Sequence, residues 1–283
     1  MQELAPGKKG TVKVDDVNLY FELYGRGDPL ILISGTGMTC AYWRIFQVPE
    51  FSKYYQVLIY DHWGLGRSDK PDMPYTTQLF AKDCAGLMDA LRIESAHIMG
   101  HSMGGRVAQW LALDYPQKVR SLVLSGTGSG NFRNSVDYPR GVPLNLCVEM
   151  IEKGYESYMA AHWEGRFMFT EDFARQHPEI VKRFQDAVLG DLPPLKFYLR
   201  HVIARQQHET TDLLTRIGVP TLVIVGGEDT VEGGTSSHLE SSKVLAERIA
   251  NAELFIVAGG AHGYLRQIPE KGHPPILDFL QRH

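Results

Sequence analysis

The chain has 283 residues, 43% of them hydrophobic and 22% charged, with a formal net charge of −4. A chain of that size buries most of its apolar surface without disulfides or metals, and its slightly acidic balance gives no basic footprint for nucleic acid. The three cysteines, Cys40, Cys84 and Cys147, are odd in number and form no CxxC pair, which argues against a disulfide framework or a zinc ribbon and fits a reducing compartment.

Lys8 and Lys9 near the start are followed by no apolar stretch, so no signal peptide is expected. No run approaches the roughly 18 apolar residues of a membrane span. The expectation is a cytoplasmic protein with a small-molecule substrate and with neither a nucleic-acid nor a membrane partner. The oligomeric state stays open.

Thr11–Val14 and Val17–Tyr24 alternate around Asp15-Asp16 and read as a hairpin. Apolar runs then alternate with helical patterns. Leu30–Ile33 precedes a helix near Ala41–Phe51. Gln56–Tyr60 precedes one near Thr76–Leu91, and Ala96–Met99 one near Met103–Tyr115. Val119–Leu124 closes this block. Continuous apolar strands alternating with helices indicate an α/β fold with a mostly parallel sheet covered on both faces.

From about residue 131 to 216 the rhythm stops. Helix formers and aromatics dominate, and Pro193-Pro194 marks a break between helices. The rhythm returns with strand Thr221–Val225, helix Ser241–Ala250, strand Glu253–Val257 and a final helix Ile276–Gln281. The expected organisation is a core of residues 1–130 and 217–283, with about eight strands, and a helical cap at 131–216 inserted after the sixth strand. No internal repeat interrupts it.

Within Ala96–Gly105 a strand runs into Gly100-His101-Ser102-Met103-Gly104 and a helix follows at once. That context gives Gly-x-Ser-x-Gly its meaning. The turn is so tight that a Cβ two positions either side of the serine would collide. Ser102 is thereby presented at the carboxyl end of the sheet, beside a helix N-terminus whose amides favour an anion.

With these residues the chain resembles the α/β-hydrolase fold superfamily, in its capped esterase and lactonase-like branch. Asp61-His62-Trp63-Gly64-Leu65-Gly66-Arg67-Ser68 is similar to the family's loop after the fourth strand, with Asp61 and Arg67 as loop-formers. Gly64-x-Gly66 lacks the third glycine of a dinucleotide loop. In this fold the order along the chain is Ser, acid, His. The strand–Gly-x-x-Asp pattern Val225-Gly226-Gly227-Glu228-Asp229 implies Asp229 as the acid, with Glu228 its rival. The other family position, Ser125–Gly130, holds no carboxylate. The loop after the last strand implies His262 as the base, among eleven histidines. His273 is expected to be exposed at the start of the final helix. His201, His208 and His238 are expected at the surface or in the cap. His101 is expected on the other side of the elbow.

The resemblance further implies an oxyanion hole from the backbone N–H groups of Met103 and Thr36. Ser34 stands where the family usually has His. Gly35, His101 and Trp163 are expected to bind substrate. His208-Glu209-Thr210-Thr211-Asp212 lacks the second His of a zinc motif, so neither metal nor cofactor is expected. The implied function is hydrolysis of a carboxylic ester or lactone of a small, largely apolar substrate through an acyl-enzyme. Carbon–carbon hydrolysis, cofactor-free haloperoxidase or perhydrolase activity on the same three residues, and a non-catalytic small-molecule receptor are the alternatives.

Overall fold

The computed structural model describes residues 4–130, 144–162, 168–230 and 237–283. Eight strands form one sheet in the order β1-β2-β4-β3-β5-β6-β7-β8. Strands β1 (Lys8–Val14) and β2 (Val17–Tyr24) make the expected hairpin, and β2 joins β4 antiparallel. From β4 (Gln56–Tyr60) onward every pairing is parallel: β3 (Pro29–Ile33), β5 (Ala96–His101), β6 (Val119–Ser125), β7 (Thr221–Gly226) and β8 (Ala252–Val257).

Alternation along the strands divides the core in two. Ile31 and Ile33 face a cluster with Phe80, Leu87, Val107, Leu111 and Leu245. Leu30 and Leu32 face a second cluster with Trp43, Phe51, Ile276 and Phe279. The first set comes from helices α3 (Thr77–Ala90), α4 (Met103–Asp114) and α10 (His238–Arg248). The second comes from α1 (Ala41–Arg44), α2 (Gln47–Phe51) and α12 (Pro269–Gln281). Both sheet faces are covered, which is why the central strands read as unbroken apolar runs.

Two helices differ from expectation. The single helix anticipated over Ala41–Phe51 is split into α1 and α2. Pro49 has no N–H to give Ile45, so a continuous helix would lose that bond; in the first turn of α2 the loss costs nothing. The final helix begins at Pro269, with Pro274 and Pro275 inside it. Pro at the first position suits a helix start, and that proline rather than the later pair sets the boundary.

Between β6 and β7 lie helices α5 (Leu144–Lys153), α6 (Tyr155–His162), α7 (Glu171–Gln176), α8 (Pro178–Leu189) and α9 (Leu195–Gln206). Met150, Met159, Phe184, Val188, Tyr198 and Val202 of this segment join the second core cluster. Among the described residues no helix is long and apolar enough to cross a membrane.

Candidate active site

Ser102 lies between the end of β5 and the start of α4, with φ 57° and ψ −122°. A positive φ at a residue with a Cβ costs on the order of 1–3 kcal/mol and persists only where its surroundings dictate it. Here they do. Its N–H donates to Ser125 O at 2.9 Å, and its carbonyl accepts from Gly105 N at 3.0 Å and Thr127 Oγ1 at 2.7 Å. A Cβ on Gly104 would stand 2.0 Å from Ile33 O, and one on Gly100 would stand 2.2 Å from Gly104 O. Both glycines let β3, β5 and α4 close around the turn.

Asp229 follows β7 by three residues and His262 follows β8 by five. Their side chains meet, with His262 Nδ1 2.7 Å from Asp229 Oδ2. Both are buried. Burial alone would raise the Asp229 pKa, but His262 and then His238 more than reverse it, and the carboxyl lies well below the usual carboxylate range. An ionised carboxylate only accepts, so Nδ1 of His262 carries the hydrogen and donates it. In the neutral ring Nε2 is then the basic nitrogen. Gln267 braces the loop before His262: its Oε1 accepts from Ala261 N at 2.9 Å and its Nε2 donates to Gly259 O at 2.9 Å.

Gly126, directly after β6, ties these groups together. A Cβ built on it would lie 3.2 Å from both Asp229 Oδ2 and His262 Nδ1, and 3.3 Å from His101 Cε1. His101 immediately precedes Ser102. Its ring lies 4.6 Å from that of His262, and its Nδ1 is 3.0 Å from Ser125 Oγ. The serine and the Asp–His pair thus sit at the carboxyl ends of four neighbouring parallel strands. His101 itself is 1% exposed, beneath the turn rather than on an open face.

His201 and His208 do fall within 131–216, the segment expected as the cap, whereas His238 opens α10 after β7 and His273, expected to be exposed, is not. His201, His208, His238 and His273 are all buried. His201 Nε2 lies 2.7 Å from Trp63 O, and His208 Nδ1 lies 2.9 Å from Thr77 Oγ1. His273 approaches Gln47 Nε2 at 3.4 Å and Phe51 at 5.1 Å between ring centroids. Apolar contacts from distant elements bury these rings, and local polarity does not report them.

His238 stacks on His262 at 4.6 Å with only 14° between the planes, and its Nδ1 stands 3.5 Å from Asp229 Oδ1. At 3.5 Å, with no aligned hydrogen bond to that nitrogen among the described residues, the contact is long and chiefly electrostatic. Asp229, His238 and His262 offer nitrogen and oxygen atoms within 4.8 Å of one another, a spacing that invites a metal ion. The ring planes do not fit one. A ligated metal lies near the plane of each imidazole, about 2.0–2.1 Å from its nitrogen, and two nearly parallel stacked planes share no such point.

The loop after β3 leans on the serine. A Cβ on Gly35 would be 3.3 Å from Ser102 Cβ. Ser34 is buried, and neither its Oγ nor Thr36 Oγ1 has a hydrogen-bond partner among the described residues. Met103, as first residue of α4, has an amide without an intrahelical acceptor. The helices between β6 and β7 reach this loop. A side chain at Gly37 would meet the Tyr198 ring of α9 at 2.6 Å, and Thr39 Oγ1 donates to Asp191 Oδ2 at 3.1 Å. Trp163, expected to bind substrate, lies outside the described residues.

Sequence reading missed His238, Gly126 and Tyr198. Only the first carried a signal. Ser237 and Glu240 form the Ser-x-x-Glu pattern of a helix start, and Ser237 Oγ does accept from Glu240 N at 3.3 Å. That pattern places His238 at the head of α10, near the strand end that carries Asp229.

A family model described as alpha/beta hydrolase fold matches residues 28–265. The RutD protein of Azorhizobium caulinodans, which carries a provisional carbamate hydrolase name, is 28% identical over 267 residues, covering 93% of this chain and 95% of its own. The enol-lactonase of Burkholderia xenovorans LB400 superposes with a TM-score of 0.83 at 24% identity, over 96% of this chain and all of that one; at that identity it speaks for the fold. Est816, an enzyme that degrades N-acyl homoserine lactones, superposes with a TM-score of 0.74 at 28% identity, over 95% of this chain and 100% of its own.

Proposed function

The chain belongs to the alpha/beta hydrolase fold family, and on that premise we propose that it is a serine hydrolase cleaving a carboxylic ester or lactone of a small molecule. The observation that supports this most directly is the strained Ser102 turn at the same sheet end as the 2.7 Å His262–Asp229 pair. Strain held in place by three hydrogen bonds to the Ser102 backbone is expected where a side chain must be aimed.

The geometry supports the following chemistry. A serine hydroxyl is a weak nucleophile at neutral pH and needs a base in reach. Nε2 of His262 accepts the Ser102 proton as Oγ attacks the carbonyl carbon. Asp229, ionised, accepts from Nδ1–H and stabilises the imidazolium that forms. The oxyanion is received by the backbone N–H groups of Met103 and Thr36, each worth roughly 3–4 kcal/mol in the transition state. The imidazolium then protonates the leaving alcohol. Water repeats the sequence to release the acid and restore the serine. Helices α5 to α9 act as a cap, with Tyr198 set against the oxyanion loop, excluding bulk water and shaping the pocket.

A carbamate carbonyl is open to the same attack, and the RutD relative makes it a second substrate class to assay. The test has two parts. A fluorophosphonate probe should label Ser102 and leave Ser102→Ala untouched. A panel of nitrophenyl esters, lactones and carbamates, run with both proteins, should then reveal turnover only in the first. An unlabelled wild-type protein, or equal turnover by the alanine variant, removes the serine mechanism.

A further inference from the structure

His262 does not stand alone beside its carboxylate; imidazoles approach it from two neighbours. His101 lies 4.6 Å away at 36° and His238 lies 4.6 Å away at 14°. His238 is 3% exposed and opens α10, whose first turn is fixed by the Ser237 cap. Its Nδ1 faces Oδ1 of Asp229, while His262 uses Oδ2. The carboxylate therefore stands before two stacked rings, 2.7 Å from His262 Nδ1 and 3.5 Å from His238 Nδ1.

We propose that His238 is a positioning residue for the base: by stacking on His262 across the face of Asp229, it fixes the plane in which His262 presents Nε2 to Ser102. This rests on the serine hydrolase reading. The hydrogen bond at Nδ1 restrains one edge of the imidazole but does not by itself fix its tilt about that bond. Productive geometry needs orientation within about 10–20°. A flat ring against the face removes that freedom. His101 is held in turn by Ser125 Oγ, which meets Tyr264 Oη at 2.6 Å, so its side of the assembly is rigid as well.

Burial holds both neighbours uncharged near pH 7. It lowers the His238 pKa to about 4, with Asp229 acting against the shift and His262 and Arg106 adding to it. It holds His101 well below the usual range, with His262, Arg266 and His238 adding to the shift and Asp229 opposing it. The imidazolium formed on His262 thus meets two neutral ring faces instead of two like charges.

Three variants separate a flat ring from mere volume: His238→Phe keeps the plane, His238→Leu keeps bulk without it, and His238→Ala removes both. Each is assayed for ester turnover and for the rate of fluorophosphonate labelling, beside wild type and Ser102→Ala. His238→Leu and His238→Ala are expected to lower kcat and labelling rate by about 10- to 100-fold with KM within threefold, the cost typical of an ångström-scale misplacement. His238→Phe is expected to recover most of that loss. Melting temperatures are recorded for all, and Leu and Phe fill the site should Ala not fold. Leu equal to wild type, Phe no better than Leu, or rates that merely track melting temperature would overturn the inference while leaving Ser102 in place. Wild-type protein that neither labels nor turns over overturns the underlying reading instead.

Discussion

Gly126 shows how narrowly the site is drawn. Its φ is +50°, which L side chains rarely adopt, and an added Cβ would press on Asp229 and His262 at once. Gly126→Ala is therefore expected to lower kcat at least tenfold while the fold survives, because the intrusion falls on the 2.7 Å bond. Steady-state kinetics with circular dichroism checks this; a variant with unchanged kcat would mean the pair tolerates displacement. At the same scale, Ser102, Asp229 and His262 were legible because each follows a strand in a fixed order along the chain. For His238 the Ser237-x-x-Glu240 helix start marked only its position; its burial against Asp229 and His262 depends on packing that no local pattern encodes.

Among elements, the strands were read closely because burial on both faces writes itself as continuous apolar runs. Helix limits were read less well where proline was involved. Pro49 divides one expected helix and Pro269 starts another early, since the outcome turns on which N–H groups the packed structure can spare. Helix α3 carries a costlier feature. Asp83 is 4% exposed and its Oδ2 has no hydrogen-bond partner among the described residues. Burial raises its pKa to about 7, with Lys82 opposing and Asp15 adding. A carboxyl raised above its unfolded value makes the fold less stable as pH climbs from about 4 to 7. Asp83→Asn removes the ionisation, so it should stabilise the protein at pH 8 by about 1–3 kcal/mol and much less at pH 4. Urea titrations at both pH values test this; equal gains at both would point to packing instead of charge.

For the molecule as a whole, the buried histidines set the acid limit. Burial lowers His62 to about 3 and His201, His238 and His273 to about 4. Above pH 6.5 these rings are neutral both folded and unfolded, and they contribute nothing to pH dependence. Below it the unfolded chain takes up protons that the folded one refuses, so stability falls as pH drops from 6.5 towards 4. Each lowered ring therefore withdraws stability as the pH falls, and burial lowers His97, His101 and His208 in the same direction. Asp83 works in the opposite direction but is one carboxyl against seven histidines lowered by burial. Cooperative unfolding is therefore expected between about pH 6 and 4, ahead of general carboxylate protonation. The melting temperature followed by circular dichroism across that range should fall steeply, and a curve flat from pH 7 to 4.5 would refute the buried, neutral state of these rings. His273→Phe, which keeps a ring against Phe51, should cut proton uptake on unfolding at pH 5 by nearly one, because the refusing group is gone while its packing remains.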